Sequence, residues 1–544
     1  MSICRLNILF LIVSYCYFAY SHRNLLNLNL QYIWNKKRRE RNNMKMIHID
    51  QKYPEDWIRV LNHIANLFFE DSKLRVEPGE ADMSVSFTYD VGENFSIATK
   101  AILTVDGQQY TNDYSIQYES AATGRDLNIR MKRALSHVFL DVLEQHTGVL
   151  QQWGILTGVR PTKLYHKFRK EGKGDQEIAE LLIRDFRLSE EKVALLKDIV
   201  ERQLITIPDI DQIGKEISVY IGIPFCPTKC AYCTFPAYAI GSNRKQGRVN
   251  TFLDGLHIEL REMGKWLKDN NMKITSIYWG GGTPTSIEAD EMDALYQTMY
   301  ESFPNPETIR EITVEAGRPD TITTEKLEVL KKWGIDRISV NPQSYTDETL
   351  KAIGRHHTVQ ETIDKFWLAR ESGMNNINMD LIIGLPNEGI EEFQHSLVES
   401  AKMQPESLTV HTLSFKRASE MTRNKDKYKV ADRDTVAEMM QMAQDWTKEN
   451  DYVPYYLYRQ KNILGNLENV GYSKAGEESI YNIVIMEEVQ TILGIGCGAS
   501  SKFVHPETGK ITQFHNPKDP AAYIMTFEEA IEKKIEFLDE LYKI

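Results

Sequence analysis

The alternation of apolar and polar residues changes along the chain and divides it into regions of different predicted structure. Residues 83–89 alternate between the two classes, as a half-buried β-strand does, and short β-rich runs follow up to an Asp106-Gly107 turn signal. Apolar residues then recur at helical spacing over residues 127–143. We therefore predict a small α/β domain over residues 46–150.

Residues 151–210 show a different pattern. They open with a loop that contains Gly and Pro at 154–161, and the segment from Glu190 to Gln203 has a helical pattern. We predict a helical connector here. Residues 426–544 combine a helical pattern, an aromatic run and a Gly-rich turn, which we interpret as a C-terminal accessory region.

The segment between these regions, residues 211–425, alternates short β-rich runs with longer amphipathic stretches. Six such units predict an α/β fold with a parallel sheet, a partial (β/α)6 barrel. The six runs are 217–221, 274–279, 311–315, 337–340, 377–383 and 408–413.

Polar or Gly-rich residues follow nearly every one of these runs. Because the carboxyl ends of parallel strands share one edge of the sheet, where active sites of such folds lie, we expect one active-site face. The residues in question are the cysteine loop 226–233, the glycine loop 280–285, Glu315, Asn341, Gln343, Asp380 and His411.

The composition is that of an ordinary globular protein. Of 544 residues, 42% are hydrophobic and 26% are charged, and this length suggests several domains. The net charge of −12 favours no nucleic acid partner. Six cysteines make no disulfide framework at this length, and the three clustered within 226–233 are typical of metal binding in a reducing compartment.

The spacing of Cys226, Cys230 and Cys233 points to a particular metal centre. A [4Fe–4S] cluster usually has four cysteine ligands, so three leave one iron open. An open iron can chelate the amino and carboxylate groups of S-adenosylmethionine (SAM), and one electron then releases a 5′-deoxyadenosyl radical. The alternatives are a zinc site, which lacks a fourth ligand within the loop unless Cys497 folds back, and a loop without metal.

The first 45 residues carry a separate signal. Residues 8–20 are nearly all apolar, a core of 13 residues that is short for a spanning helix, and basic residues follow at 36–41. We favour a functional chain that begins near Met44 or Met46. A membrane anchor with the body in the cytoplasm and a signal peptide are the alternatives. Export fits badly because an oxidising compartment endangers an iron–sulfur cluster, so we expect a cytoplasmic protein.

These motifs resemble a known family. The stretch Tyr220-Ile-Gly-Ile-Pro-Phe-Cys-Pro-Thr-Lys-Cys-Ala-Tyr-Cys233 resembles the radical SAM motif of oxygen-independent coproporphyrinogen III oxidases (dehydrogenases). The glycine loop resembles that family's SAM loop, and Leu156-Thr-Gly-Val-Arg-Pro-Thr-Lys163 is similar to its HemZ-like branch. The resemblance covers roughly residues 215–420.

The resemblance implies roles for individual residues. The three cysteines would ligate the cluster, and no catalytic side chain is assigned because SAM carries the radical. Three of the implied SAM contacts, Gln343, Arg355 and Asp380, match positions that contact a second SAM, and whether one or two bind stays open. The whole set implied to contact SAM is Tyr220, Tyr232, Gly281, Gly282, Thr283, Glu315, Gln343, Arg355 and Asp380.

The implied reaction is oxidative decarboxylation of coproporphyrinogen III to protoporphyrinogen IX. It needs a tetrapyrrole substrate and a low-potential electron donor of flavodoxin or ferredoxin type. Phe235 replaces a cysteine of the family's oxidases, and Gly222 replaces a histidine. The alternatives are therefore a heme-binding or heme-delivery protein on this scaffold, or a radical SAM enzyme with another substrate.

Other residues have two interpretations. Arg160 and Lys163, within a basic run, are either ligands of substrate propionates or part of a solvated helix face. The tyrosines at 455, 456 and 458 either border a flat macrocycle or pack in a core. We interpret His356 and His357 as loop residues and Cys497 as a small packed residue.

Overall fold

A computed structural model describes residues 45–543 except 70–71, 78, 93–94, 119–122, 159, 416–418, 425–426 and 461–465. The apolar residues 8–20 and the basic residues after them lie outside this part. None of the described helices is long and apolar enough to cross a membrane. The chain divides into two compact units. The first unit comprises the residues up to 157 together with residues 174–193, and the second comprises residues 158–173 together with all residues from 194 onward.

The first unit is built on a mixed five-stranded sheet in the order β2-β1-β3-β4-β5. Strand β1 is parallel to β2 and β3, and the β3–β4 and β4–β5 pairs are antiparallel. Its first elements are β1 (Met46–Ile49), α1 (Glu55–Ala65), β2 (Lys73–Arg75), β3 (Met83–Val91), β4 (Ser96–Val105), β5 (Gln108–Gln117) and α2 (Gly124–Thr147).

The turn between β4 and β5 follows the sequence signal. Val105 pairs with Gln108, so two residues close the hairpin, and both Asp106 and Gly107 have positive φ, 50° and 80°. This is the conformation that a two-residue hairpin favours and that Asp-Gly adopts readily. The separate β-rich runs before the turn form one continuous strand, β4.

The predicted connector is shared between the two units. Helix α3 (Thr162–Lys170) belongs to the second unit, α4 (Asp175–Phe186) belongs to the first, and the division falls within α5 (Glu190–Thr206). The domain boundaries drawn from the sequence stay a prediction.

The second unit contains an eleven-stranded sheet, and its centre confirms the predicted α/β class. The order is β14-β15-β13-β12-β11-β10-β9-β6-β16-β17-β18. Its parallel strands are buried, as a sheet covered by helices requires. The strands of this unit are β6 (Ile217–Ile223), β7 (Phe225–Cys226), β8 (Tyr238–Ala239), β9 (Ile274–Gly281), β10 (Glu311–Glu315), β11 (Arg337–Ser339), β12 (Ile377–Ile383), β13 (Ser407–Thr412), β14 (Val453–Tyr458), β15 (Asn469–Ser473), β16 (Thr491–Gly496), β17 (Ser500–Val504) and β18 (Ile511–His515).

Strands β6 and β9–β13 are the six predicted runs, and all are parallel to their neighbours in this group. The predicted accessory region extends the same sheet. Strands β14 and β15 join antiparallel beside β13, and β16 joins parallel beside β6. The active-site sheet therefore depends on residues far beyond the predicted core.

Helices connect the strands. They are α6 (Ile240–Lys245), α7 (Arg248–Asp269), α8 (Ala289–Ser302), α9 (Thr324–Lys332), α10 (Asp347–Ala352), α11 (Val359–Glu371), α12 (Ile390–Met403), α13 (Glu420–Arg423), α14 (Arg433–Glu449), α15 (Ile480–Glu487) and α16 (Pro520–Tyr542). Short 3₁₀ turns occur at Ile213–Lys215, Pro284–Ser286, Pro306–Thr308 and Pro319–Thr321.

A fully buried ion pair joins two of these helices to the end of β16. The carboxylate of Glu259 in α7 accepts hydrogen bonds from Lys534 in α16, from the Tyr523 hydroxyl (2.5 Å) and from the Gly496 backbone N–H (2.8 Å). Asn516 donates to Glu259 (3.0 Å) and to the Gly496 carbonyl (2.8 Å). Because every charge has a partner, the pair holds the turn after β16 in one position.

Replacing Lys534 by Met is expected to destabilise the fold strongly, by about 3–5 kcal/mol, because the Glu259 carboxylate is left buried without its cation. Chemical denaturation measures the free energy of unfolding. Lys533→Met is the matched control, because Lys533 is exposed and forms an ion pair with Glu529 on the same helix. An equal loss of stability in both variants would contradict the role of the buried pair.

Candidate functional site

The cysteine loop begins where β6 ends. Cys226 is buried, whereas Cys230 and Cys233 are partly exposed. Strand β7 pairs with β8, and the loop between them is held from outside, since the Ala231 N–H donates to the Ile353 carbonyl (2.9 Å). The Thr228 hydroxyl also donates to the Gly354 carbonyl (2.9 Å). The three thiols therefore lie at the carboxyl edge of the parallel strands, as predicted.

The environment of the thiols fits a multi-iron cluster. Burial raises the pKa of Cys226 to about 12; the Thr283 hydroxyl at 3.3 Å opposes this rise, and Cys230 and Cys233 add to it. Bound iron would compensate the charge of three thiolates gathered here. Among the described residues, no three His, Cys, Asp or Glu side chains are placed to hold a single metal ion. A four-iron cluster is wider than one ion and holds its ligands farther apart.

The glycine loop lies directly against the cysteine loop. The Gly282 N–H donates to the Ile223 carbonyl (2.7 Å), and the Thr283 N–H donates to the Phe225 carbonyl (2.8 Å). A Cβ on Gly281, whose φ is 108°, would lie 2.8 Å from the Ile223 oxygen, and one on Gly282 would lie 2.5 Å from the Phe225 oxygen. These glycines are thus required by the backbone of the cysteine loop, while their contact with SAM stays a prediction.

The glycine at position 222, one of the two departures from the oxidase pattern, is also required by a close approach of backbone. A Cβ at this position would lie 2.8 Å from the Cys497 carbonyl oxygen, in the turn after β16. Cys497 itself is buried, and its thiol lies 3.2 Å from the Pro517 carbonyl. The sheet extension therefore occupies the space that a side chain at 222 would need.

A stack of three tyrosines stands beside Glu315. The rings of Tyr220 and Tyr278 lie 6.1 Å apart, and Tyr481 of α15 stacks on Tyr278 at 4.5 Å. The Tyr278 hydroxyl donates to Glu315 (2.6 Å). Burial raises the pKa of Glu315 to about 7, the Tyr278 hydrogen bond opposes the rise, and Asp380 adds to it. Glu315 is therefore near its titration point at neutral pH.

Asp380 has the opposite environment. Asn341 and Asn378 each donate to one of its carboxylate oxygens (both 2.8 Å), and His411 lies 3.6 Å away. Burial alone would raise its pKa, but His411 first, and then hydrogen bonds from Asn378 and Thr409, hold the pKa of Asp380 below its ordinary value. His411 also contacts the Tyr458 hydroxyl (3.1 Å), so a polar chain runs from β12 across β13 to β14.

Gln343 and Arg355 are both buried at this edge. Gln343 has φ of 65°, and its backbone bonds to the Asp380 carbonyl and the Ile382 N–H. Arg355 donates to the Asn341 carbonyl (2.6 Å). Burial opposes its charge, but neighbouring Tyr232 and Cys230 raise the pKa of Arg355 overall. Arg355 is therefore placed next to a predicted cluster ligand.

The structure brings the predicted site residues to one edge, and it adds residues that the sequence did not single out. Tyr278, Asn378 and Tyr481 belong to this second group. Tyr278 had a usable signal, since it stands two positions before the glycine loop and shares the side of β9 that faces Tyr220. His357, interpreted as a loop residue, is buried, and burial and nearby Arg355 lower its pKa to about 3.

The tyrosines of β14 divide between the two interpretations. Tyr455 packs in a core with α15. The Tyr456 ring lies across Gly471 of the intervening strand and reaches the Thr409 hydroxyl (3.3 Å). Tyr456 is nevertheless buried in the same core as Tyr455. Tyr458, whose ring is parallel to that of Tyr456 within 2°, packs against this core and keeps partial exposure beside His411.

The basic run does not reach this edge, which corrects the propionate hypothesis for Arg160 and Lys163. Both side chains pair with Glu488, which also pairs with Lys502 (3.1 Å). Glu488 lies just before β16, whose first residue Thr491 pairs with the first residue of β6. These cations therefore lie at the amino edge of the parallel strands, opposite the cysteine loop.

Known proteins resemble this chain at several levels. The model of the radical SAM superfamily matches residues 220–398. The oxygen-independent coproporphyrinogen-III oxidase-like protein HemZ of Bacillus subtilis is 58% identical over 89% of this chain and 96% of that protein. The heme chaperone HemW of Haemophilus influenzae is 30% identical over 57% of this chain and 76% of that protein. A solved structure of coproporphyrinogen III oxidase (HemN) from Escherichia coli aligns with a TM-score of 0.47 and 20% identity, covering 60% of this chain and 73% of that one.

Replacing Gly282 by Ala is expected to push the two loops apart, because the new methyl group overlaps the Phe225 backbone. We expect a loss of about 1–3 kcal/mol in stability and less iron bound per chain after anaerobic reconstitution. Gly241→Ala is the control, since a Cβ there meets no atom within 4 Å. Full iron loading of the Gly282 variant would show that the close approach is not required.

Replacing Glu315 by Gln is expected to change how stability depends on pH. In the folded protein this carboxyl releases its proton near pH 7 instead of 4.5, so ionisation costs the folded state stability as pH rises between these values. The Gln variant lacks this cost and should gain about 2–3 kcal/mol relative to the wild type between about pH 5 and 8.

Urea denaturation of the metal-free protein at several pH values measures the effect. Glu307→Gln, which removes an exposed carboxyl, controls for the change in net charge. A pH-independent difference between the Glu315 variant and the wild type would refute the raised pKa.

Proposed function

We propose, because the chain belongs to the oxygen-independent coproporphyrinogen-III oxidase-like proteins of the radical SAM superfamily, that it oxidatively decarboxylates coproporphyrinogen III to protoporphyrinogen IX. A [4Fe–4S] cluster and SAM are the cofactors of this superfamily. When bound, they supply a one-electron cleavage of SAM that yields a carbon radical able to remove hydrogen from an unactivated carbon. In this proposal a propionate of the substrate would lose a β-hydrogen to this radical, and loss of CO2 together with transfer of one electron to a one-electron acceptor would leave a vinyl group.

The observation that carries the proposal is the gathering of three thiols and several buried polar groups at one strand edge. Cys226, Cys230 and Cys233 would hold the cluster, and Arg355 next to Cys230 would offset negative charge there. Glu315, the last residue of β10, and Asp380, within β12, would orient SAM through hydrogen bonds, since both have fixed partners. Their buried setting excludes water from the reacting groups.

The remaining predicted SAM contacts belong to the same proposal. Tyr220 and Tyr232 would flank SAM, while Gly281, Gly282 and Thr283 would line its site. Gln343, four residues past the end of β11, is buried and has a positive φ of 65°, an uncommon conformation for a non-glycine residue. Whether one or two SAM molecules fit here is decided by measurement of bound SAM per cluster.

Two features support a flat, carboxylate-bearing substrate. Tyr458 places a partly exposed aromatic ring beside the polar chain of Asp380 and His411. Exposed Lys427 and Lys429 lie at the same edge, since the Lys429 carbonyl accepts from the Asn387 N–H just past β12. We propose these lysines in place of the basic run as partners of propionates, and a cytoplasmic location that keeps the cluster reduced.

Heme binding or delivery is the second candidate. It is favoured by Phe235, which stands where the oxidases carry a further cysteine, and by the similarity to a heme chaperone. The aromatic and basic residues of the same edge would serve heme as well as a porphyrinogen. The two functions differ in whether a vinyl product forms.

The decisive experiment is an anaerobic assay. Protein reconstituted with iron and sulfide is mixed with dithionite, SAM and coproporphyrinogen III. We expect 5′-deoxyadenosine, CO2 and protoporphyrinogen. Deoxyadenosine without a vinyl product would indicate another substrate, and heme capture with neither product would indicate a delivery protein.

A matched pair of cysteine variants controls the assay. Cys230→Ser is expected to abolish deoxyadenosine formation, because the cluster loses a ligand. Cys497→Ser removes a buried thiol outside the loop and should retain activity within about threefold, as for a modest packing change. Retained activity in Cys230→Ser would reject the cluster assignment.

A further inference from the structure

We propose that Phe235, Lys229, Lys245 and Arg248 form the docking surface for an acidic one-electron carrier protein that reduces the cluster. We call this set the Phe235 surface. The proposal requires the cluster but not the tetrapyrrole substrate, so the two can fail independently.

The first argument is position. Phe235 lies two residues past Cys233, and its side chain is 58% exposed, although large aromatic residues are usually covered. The following residue, Pro236, is fixed by the turn after β16, because a Cβ on Gly498 would lie 2.4 Å from its ring. Phe235 is therefore presented to solvent by a firmly packed segment directly beside the cluster ligands.

The pairing of β7 with β8 places the start of helix α6 beside the first cysteine of the loop. Cys226 pairs with Ala239, and α6 starts at the next residue and ends at Lys245. Arg244 anchors the helix by a bidentate pair with Glu291 (both 2.8 Å), which lies just past the glycine loop. Lys245 and Arg248 thus stand at the carboxyl edge of the sheet, on the segment that follows β8.

The second argument is charge. The protein carries a net charge of −12, yet residues 217–253 contain four cations and no Asp or Glu. Arg244 pairs with Glu291 and also lies 3.8 Å from the exposed Glu288. Lys229, Lys245 and Arg248 are exposed, and no carboxylate of the described residues lies within salt-bridge distance of these three. A cationic rim around an exposed aromatic side chain is a surface suited to an acidic partner.

The third argument is what the site needs. A [4Fe–4S] cluster that cleaves SAM must receive one electron per turnover from outside the chain. The carrier loses that electron and the cluster gains it, with no bond made or broken. The cations of the Phe235 surface would attract an acidic carrier to the side of the cluster, whereas the negative charge of the rest of the protein would repel that carrier elsewhere.

The test is cluster reduction measured without substrate. Stopped-flow absorbance follows oxidised holoenzyme mixed with reduced flavodoxin or reduced ferredoxin, and with dithionite as a small reductant. The double variant Lys245→Glu with Arg248→Glu is expected to slow reduction by the carriers by at least about tenfold, because two attractive charges become repulsive. Reduction by dithionite should stay at the wild-type rate.

The matched control is Lys448→Glu with Lys510→Glu, which changes net charge equally at exposed sites. Both lysines lie at the amino edge of the parallel strands. Lys510 lies in the turn between β17 and β18, after Val504. Lys448 lies close to Tyr452, whose hydroxyl donates to the Pro405 carbonyl just before β13. Phe235→Ser should weaken carrier binding, measured by calorimetry, without changing iron content.

Three results would overturn the proposal. The first is that the control variant slows reduction by the carriers as much as the Lys245 and Arg248 variant does. The second is that the Lys245 and Arg248 variant slows reduction by dithionite as much as reduction by the carriers. The third is that the rate at which the carriers reduce the wild-type protein does not fall as salt is added. Failure of either carrier to reduce the wild-type protein at all would count against it in the same way.

Discussion

The site depends on direct backbone contact between the loops that follow two neighbouring parallel strands. The glycine loop after β9 donates two N–H groups to the carbonyls of Ile223 and Phe225, which lead from β6 into the cysteine loop, and there is no room for a Cβ at Gly282. A short loop with three cysteines has little secondary structure of its own. Its shape is therefore set by what it touches, which is the glycine loop on one side and residues 353–354 on another.

The C-terminal part of the chain takes part in the same construction. Strand β16 adds to the sheet beside β6, and the turn after it fills the space next to Gly222. The buried pair of Glu259 and Lys534 fixes that turn, and Tyr481 of α15 completes the aromatic stack beside Glu315. A part that looked accessory in the sequence thus supplies both support for the cysteine loop and a wall of the site.

Local signals predicted local features well. The six β-rich runs, the Asp106-Gly107 turn and the position of the cysteines at a strand end all follow from patterns within a few residues. Long-range partners had no such signal. In the sequence Arg160 has no visible partner, because Glu488 lies more than three hundred positions away. The ring of Tyr456 reaches β13 across the intervening strand β15, and it can do so because Gly471 has no side chain there. Ion pairs and crossings of this kind are properties of the folded sheet order, which pattern alone does not determine.

The carboxyl groups of Glu315 and Asp380, at the same edge of the sheet, have pKa values shifted in opposite directions. Glu315 has one hydroxyl partner and a raised pKa, whereas Asp380 has two amide donors and a histidine and a lowered pKa. The charge of Asp380 adds to the effect of burial on Glu315, so Glu315 is near its titration point at neutral pH while Asp380 stays ionised. Protonation of Glu315 is therefore coupled to the charge of its surroundings. The hydrogen bond from the Tyr278 hydroxyl favours the ionised form of Glu315, whereas burial and the charge of Asp380 favour the protonated form.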